Sequence, residues 1–382
     1  MVWVLQPGGV LVKKILHIIS DSNIGGAGKY LLNYLGNCDR NKFRVKIVLP
    51  IRSKLIYEIS NLGFEFIEID GLAEKSFSTT AVKNLIKIFK DEKPDIIHAH
   101  ACLSARIAAK LCGVKAIIYT RHTDSVPSKK LTNPIGKAIN GFINGYLSDG
   151  IIAISNTARK NLLETGISDK KIKIIYNGVN PVDKLNEEER KKVYSDFGIE
   201  YGTKIIGIVA RLEEIKGHKY FIDAAKIVQD KGYDAKFVIA GIGSQEQFLK
   251  QYVKDINADN VIFLGFVSNV SDLNNIMYLQ INASSYEALG LAAIEGMRVG
   301  VPAVVTSFGG NPEVVADGIN GYVINGQNSE EFAEKIIKLL DDDELYKRLS
   351  VGALEVYNSK FTAKAMTENM EKFYFDILEG KK

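Results

Sequence analysis

The sequence predicts an α/β protein built from two doubly wound, Rossmann-like domains, and three observations predict it. Short β-branched apolar runs alternate with helix-length segments, the same rhythm occurs on both sides of a turn-rich stretch near residue 180, and 382 residues exceed one ordinary core. In the first half the strand-like runs fall at 14–20, 44–49, 64–69, 95–100, 116–120, 150–155 and 172–176. In the second they fall at 204–210, 236–240, 261–264, 279–282, 303–306 and 321–324. These runs are nearly continuous in apolar residues, as parallel strands covered by helices on both faces require. Between the halves, Asn177-Gly178-Val179-Asn180-Pro181 reads as a hinge, and the charged stretch from Glu187 to Lys192 opens a surface helix. Beyond Glu330 the pattern is helical to the end. The expected division is therefore 1–180, 181–358 and a terminal helical segment 359–382, without short-period repeats.

Composition narrows the function classes. Hydrophobic residues at 46% and charged residues at 25% exclude a disordered or collagen-like chain. No apolar run reaches a membrane-spanning length, and the apolar segment 1–12 precedes Lys13-Lys14, the reverse of a secretory signal, so a cytoplasmic protein is expected. Cys38, Cys102 and Cys112 form no C-x-x-C pair and read as reduced, buried thiols. Residues 1–180 carry a net charge of +12 and residues 181–382 one of −8, which fits either an anionic partner for the first half or two ordinary solvated surfaces. Nothing calls for a nucleic-acid partner.

In open parallel sheets ligands bind beyond the carboxyl ends of strands. The first strand runs into Gly25-Gly26-Ala27-Gly28 ahead of a helix, which lets backbone amides approach an anion or substrate, or simply makes a turn. It matches neither G-x-G-x-x-G nor a Walker loop. Period two places His98 and His100 on one strand face, and with His122 and Asp124 they raise a metal cluster as one reading. The other makes one of the first two a hydrogen-bonded core histidine and leaves His122, past a strand end, for substrate.

The strand at 204–210 is followed by Arg211 and then Lys216-Gly217 at a helix start, two cations suited to a diphosphate. Gly241-Ile242-Gly243-Ser244 ends the next strand with close-approach glycines. In Glu287-Ala288-Leu289-Gly290-Leu291 and on to Glu295, two carboxylates flank the start of a helix; free amides near Gly290 and Leu291 point at an anion while the carboxylates accept from sugar hydroxyls. Gly309-Gly310-Asn311-Pro312-Glu313 could frame a ligand, and Asp317-Gly318-Ile319-Asn320-Gly321 reads as a turn.

This constellation resembles the family 4 glycosyltransferases, GT-B-fold enzymes that move a sugar from a nucleotide diphosphate donor with retention of anomeric configuration. The pieces that carry it are Arg211 with Lys216-Gly217, Glu287 through Glu295, and Gly309-Gly310-x-Pro-Glu313, and the match spans nearly the whole chain. The resemblance implies two domains facing across a cleft, with C-terminal helices returning to the first. It implies that Arg211 and Lys216 hold the donor diphosphate, Glu295 the ribose hydroxyls and Glu287 the transferred sugar. Leu289, Gly290, Leu291, Gly241 and Gly243 would line the donor, the base would lie near residues 265–267, His122 would line the reaction centre, and Gly25-Gly26 would approach donor and acceptor. Gly296 stands where the family usually has alanine, and Ala288-Leu289 where it often has Gly-Phe, which bears on donor-sugar preference.

A nicotinamide-dependent dehydrogenase would place a carboxylate about 20 residues past its glycines. The chain there reads Leu49-Pro50-Ile51-Arg52; Arg52 could meet an NADP phosphate, but Arg211, Lys216 and the glutamates would then have no role. A two-lobed binding protein would carry an export signal. A nucleotide-sugar epimerase of the same architecture is the nearest alternative. The reading adopted is a retaining transferase of a hexose or N-acetylhexosamine from UDP, or alternatively GDP, to a cell-envelope glycan, a glycolipid or a small-molecule acceptor, with no metal or other cofactor. Finally, Leu131, Ile135, Ala138, Ile139, Phe142 and Tyr146 recur at helical spacing beside Lys129, Lys130 and Lys137, which makes either an ordinary core-facing helix or a face for an anionic membrane.

Overall fold

In the computed structural model, which describes residues 12–73, 76–122 and 128–380, each of the thirteen apolar runs forms a strand. The first seven are β1 (Lys13–Ile19), β2 (Phe43–Pro50), β3 (Glu65–Ile69), β4 (Ile96–His100), β5 (Ala116–Arg121), β6 (Gly150–Ala153) and β7 (Ile172–Ile174). They make one parallel sheet in the order β3-β2-β1-β4-β5-β6-β7. The remainder are β8 (Lys204–Val209), β9 (Ala235–Ala240), β10 (Val261–Gly265), β11 (Met277–Asn282), β12 (Ala303–Thr306) and β13 (Gly321–Ile324), in the order β10-β9-β8-β11-β12-β13. The strand order reverses between β1 and β4 and again between β8 and β11. Such switch points open the crevice in which doubly wound sheets bind ligands, so the loops after these four strands are the ones to inspect.

The continuous apolar runs follow from burial on both faces. Along β1, Ile15 and Ile19 join a cluster with Tyr30, Tyr34, Met370 and Tyr374, while Leu16 and Ile18 join another with Leu85, Phe89 and Ala105. Residues up to Asn180 together with those from Ala363 onward form one unit, and Pro181–Thr362 form the second. The second unit reaches Thr362 because the helix Asp343–Lys360 runs unbroken to Lys360 and Phe361 behind it is buried. The helix Ala363–Glu379 belongs to the first unit, where burial of Met366, Met370, Phe373 and Tyr374 contributes on the order of 2 kcal/mol per side chain. Tyr30 donates its hydroxyl to the Met370 sulfur at 2.9 Å, and Asp39 donates its amide to Glu371 at 2.8 Å.

The expected surface helix is Glu187–Asp196, closed at its start by a reciprocal cap between Asn186 and Glu189. All three thiols are free, but only Cys102 is buried, as a member of the cluster with Leu85, Phe89 and Ala105; Cys38 and Cys112 follow the C-terminal ends of their helices and are half-buried at the edges of their clusters. Among the described residues no helix is long and apolar enough to cross a membrane. The stripe Leu131, Ile135, Ala138, Ile139, Phe142 and Tyr146 is exposed, which overturns its reading as a core-facing surface.

Candidate active site

In the second unit, β8 leads into a loop on which Arg211 stands exposed, followed by a single helical turn Glu214–Lys216 and the helix His218–Asp230. Gly217 joins the two in a left-handed conformation. Lys216 reaches Glu287, on the loop after β11, with Nζ 2.7 Å from Oε2. The sequence reading gave these two side chains separate tasks; the fold makes them an ion pair, and both are mostly shielded from water.

A chain of polar contacts holds that carboxylate. Ser284 donates its hydroxyl to Glu287 Oε2 at 3.1 Å, and Thr306 donates to the Ser284 carbonyl at 2.6 Å. Asn311 donates to Thr306 at 3.1 Å and accepts from Asn282 at 3.2 Å. Ser285 donates its amide to the Ile215 carbonyl at 2.9 Å, which ties this loop to the turn that carries Lys216. Gly310 donates its amide to the Glu287 carbonyl at 2.8 Å, and Gly309, at φ +63°, lies so close that a Cβ there would stand 1.9 Å from the same oxygen. The Gly309-Gly310 turn thus buttresses the backbone of Glu287. Asn311 lies in the segment 309–313 that the sequence marks as able to frame a ligand, whereas Asn282, Ser284 and Thr306 escaped the sequence reading; the signal for them was their position at the ends of β11 and β12.

Gly290 precedes the helix Leu291–Met297, whose Glu295 is buried, as is Leu289, while Leu291 and Ala288 are half-buried. Burial pushes the Arg298 guanidinium down, and the Glu295 charge opposes that shift. Gly241 and Gly243 pack on the backbone of Ala210 and Leu212, so these glycines answer a packing demand as well as any ligand. A cavity of about 770 Å³ opens beside the Lys216 turn, but its lining includes Glu213, Glu214, Lys219 and Phe248 and none of Arg211, Lys216, Glu287 or Glu295. Two carboxylates on its wall make it a poor diphosphate site, so the residues at the switch point remain the candidate.

In the first unit Gly25 caps the helix Gly26–Leu35, and a Cβ at Gly25 or Gly26 would meet nothing within 4 Å, so the fold itself does not demand glycine at either position. His122 follows β5. Its Nε2 lies 2.8 Å from His100 Nδ1, and His100 Nε2 lies 3.0 Å from His17 Nδ1. Ring centroids 5.1 and 5.3 Å apart with planes inclined by only 20° and 19° make this an in-plane chain of three imidazoles. Each link needs one donor and one acceptor, so the chain has two consistent tautomer patterns; His122 Nδ1 is a bare acceptor in one and an N–H donor in the other. His98 stacks on His100 at 4.4 Å and spends both nitrogens, on Tyr374 at 2.7 Å and Thr120 at 2.6 Å. It is the satisfied core histidine. Burial lowers His17 and His122 to about 3 and holds His98 and His100 well below the usual histidine range, so all four are neutral near pH 7.

Asp124, offered with His98, His100 and His122 as a metal set, lies outside the described residues. The sequence reading missed His17, which the parallel register sets beside His98. One nitrogen from each of His17, His98 and His100 lies within 4.8 Å of the others. A tetrahedral ion at about 2.0–2.1 Å per nitrogen needs ligand atoms closer than that and lone pairs that converge. His98 spends both nitrogens on Tyr374 and Thr120 and His100 both on His17 and His122, so their lone pairs and N–H groups are aimed at those partners and do not converge on one point.

Two family models match the chain in succession: glycosyltransferase family 4 over residues 24–183 and glycosyl transferases group 1 over residues 189–355. The chain belongs to the family 4 glycosyltransferases. This transferase is 26% identical over 344 residues to N-acetyl-alpha-D-glucosaminyl L-malate synthase of Bacillus anthracis, covering 87% of this chain and 88% of the relative. It is 25% identical over 312 residues to the UDP-Gal:alpha-D-GlcNAc-diphosphoundecaprenol alpha-1,3-galactosyltransferase of Escherichia coli, covering 78% and 79%. Its fold is that of Anabaena HepE, solved in complex with UDP and glucose, at a TM-score of 0.81 with 19% identity over 94% of this chain and 99% of that one. In this glycosyltransferase the glycine at 296 is matched by Gln280 on β11, whose Oε1 would lie 2.3 Å from a Cβ at that position.

Proposed function

We propose that this protein transfers a hexosyl or N-acetylhexosaminyl group from a nucleoside diphosphate sugar to a cell-envelope glycan or glycolipid, with retention of anomeric configuration. UDP is the first choice of nucleotide and GDP the second. The observation that carries the reading is the Lys216–Glu287 pair at the switch point of the second sheet, with Arg211 exposed on the same loop. Within the pair the charges cancel, and although the loop also carries Glu213 and Glu214, which face the neighbouring cavity, Arg211 stands exposed to offer its guanidinium to an incoming diphosphate. When the sugar bond breaks, negative charge grows on the departing nucleotide. Arg211 and Lys216 stabilise it, and Glu287, released from part of its hold on Lys216, accepts from hydroxyls of the sugar. Glu295 takes the ribose hydroxyls. Gly241, Gly243, Leu289, Gly290 and Leu291 line the donor. In this reading the first unit carries the acceptor side, with Gly25, Gly26 and His122 meeting substrate, and no metal ion is required because cations of the chain neutralise the phosphates. The enzyme works in the cytoplasm, at the inner face of the membrane when the acceptor is lipid-linked.

Names of relatives support both the donor and the acceptor class: the Escherichia coli enzyme's names UDP-Gal and a diphosphoundecaprenol acceptor. A small-molecule acceptor is the second reading, favoured by the L-malate in the name of the Bacillus anthracis relative. The test is a transfer assay with a panel of UDP- and GDP-sugars against undecaprenyl-diphosphate-linked sugar and against free hydroxy acids. Sugar transfer from one donor, with free nucleoside diphosphate as product, is expected. Hydrolysis or epimerisation of the donor without transfer to any acceptor would overturn the reading.

A further inference from the structure

The helix Pro134–Leu147 is amphipathic the wrong way round for a helix of a water-soluble domain. Asn140, Gly141 and Asn144 face the protein. Asn140 donates to the Thr165 carbonyl at 2.7 Å, Asn144 accepts from Arg106 at 2.6 Å, and Gly141 packs so tightly on Gly166 that a Cβ would stand 2.1 Å from the Gly166 oxygen. Lys171 holds the end of the helix by donating to the Gly145 and Ser148 carbonyls. Those contacts fix the rotation of the helix, and they turn its apolar stripe outward. Ile135 and Phe142 are each 74% exposed, Ile139 56% and Tyr146 57%, with Ile143 and Leu131 exposed beside them. Single exposed apolar residues are ordinary; a continuous stripe along three turns of one helix is not.

We infer that this face docks on an anionic lipid surface. The charges around the stripe choose the occupant. Lys129 and Lys130 stand exposed at the start of the segment, Lys137 lies along it, and Lys110 reaches over the Tyr146 ring at 4.5 Å. From residue 128 to residue 148 there is not one carboxylate. A helix that buries apolar side chains among acyl chains while its lysines meet phosphates is the arrangement of an interfacial helix, and the +12 balance of residues 1–180 adds a longer-range attraction. A second copy of the chain fits worse. Two-fold pairing of this face would set lysines against lysines with no carboxylate between them. The inference deepens the functional reading, since a docked first unit meets a lipid-linked acceptor at the bilayer, and it rests on that reading for the acceptor alone.

Co-sedimentation of the full chain with phosphatidylcholine vesicles, with and without phosphatidylglycerol, at low and high salt, tests the surface without any transfer assay. Binding to the anionic vesicles at low salt, weakening as salt rises, is expected. Replacing Lys129, Lys130 and Lys137 by Gln should lower partitioning roughly 10²-fold at low salt. Ile139→Ser with Phe142→Ser should abolish it while leaving the melting temperature unchanged, because neither side chain is in the core. Absence of binding at low salt, binding indifferent to the serine pair, or a lipid-free dimer that the serine pair dissociates would each overturn the inference. Vesicle binding that obeys these rules without sugar transfer to any lipid-linked acceptor would leave the docking face standing and refute the acceptor class.

Discussion

Lowering the pH from 7.5 to 5.5 is expected to remove a large share of the stability of the first unit, because its core holds four histidines that the fold keeps neutral. His17 and His122 are lowered to about 3, and His98 and His100 well below their ordinary value, all chiefly by burial. The sign follows from linkage. An unfolded chain takes up protons at these side chains as pH falls through about 6.5, while the folded chain does not, so stability is complete above that value and declines continuously below it. One unit below 6.5, each histidine forgoes about 1.4 kcal/mol, and four together about 5 to 6 kcal/mol, against the 5–15 kcal/mol typical of a whole domain. Glu371, raised by burial, works in the opposite direction but as one group against four. Hydrogen exchange read by mass spectrometry at a series of pH values follows the first sheet separately from the second. Protection of β1, β4 and β5 should fall steeply between pH 6.5 and 5, with a slope approaching four protons. In His17→Leu that slope should drop by about one. Equal protection at pH 7.5 and 5.5, or a slope that His17→Leu leaves unchanged, would refute the reasoning.

The remaining predictions concern the second unit. Lys216→Ala should reduce transfer roughly 10²-fold or more by removing a charge-assisted contact to the leaving diphosphate, measured as kcat/KM for the donor; near-normal transfer would remove Lys216 from the site. Glu295→Gln should raise the donor KM more than Glu287→Gln does, whose loss should fall on kcat because Glu287 also positions Lys216; small and equal effects would argue against both assignments. Activity should survive EDTA, and full loss restored by added manganese would contradict the metal-free reading. Gly309→Ala, which forces a Cβ into the Glu287 carbonyl, should lose activity and melt at lower temperature, and an unaltered variant would show that the turn does not support the site.

The strands were legible because a parallel strand buried on both faces has no choice but a continuous apolar run, as 204–209 and 303–306 show. Loop residues such as Arg211 and Glu287 were legible because chemistry in this architecture gathers directly after the strands. Their partnership was not. Lys216 and Glu287 are 71 residues apart, and only the pairing of β8 with β11 brings their loops together. His17 was hidden inside an apolar run where it reads as one more buried position, although period two along β1 and the register with His98 would have put it on the histidine face. For the helix Pro134–Leu147, periodicity reveals a stripe but not which side of it faces inward. Asn140, Gly141 and Asn144 opposite the stripe were the readable sign, since side chains that small and polar suit close backbone packing and hydrogen bonding to Thr165 and Arg106.

The most direct test of the central claim is calorimetric titration of the wild-type chain, Arg211→Ala and Lys216→Ala with UDP, UMP and GDP. The account predicts that a nucleoside diphosphate binds the wild type, UDP ahead of GDP, that UMP binds at least tenfold more weakly for want of the second phosphate, and that either replacement removes most of that difference. Equal affinity for UMP and UDP, or full diphosphate affinity in both variants, would contradict it.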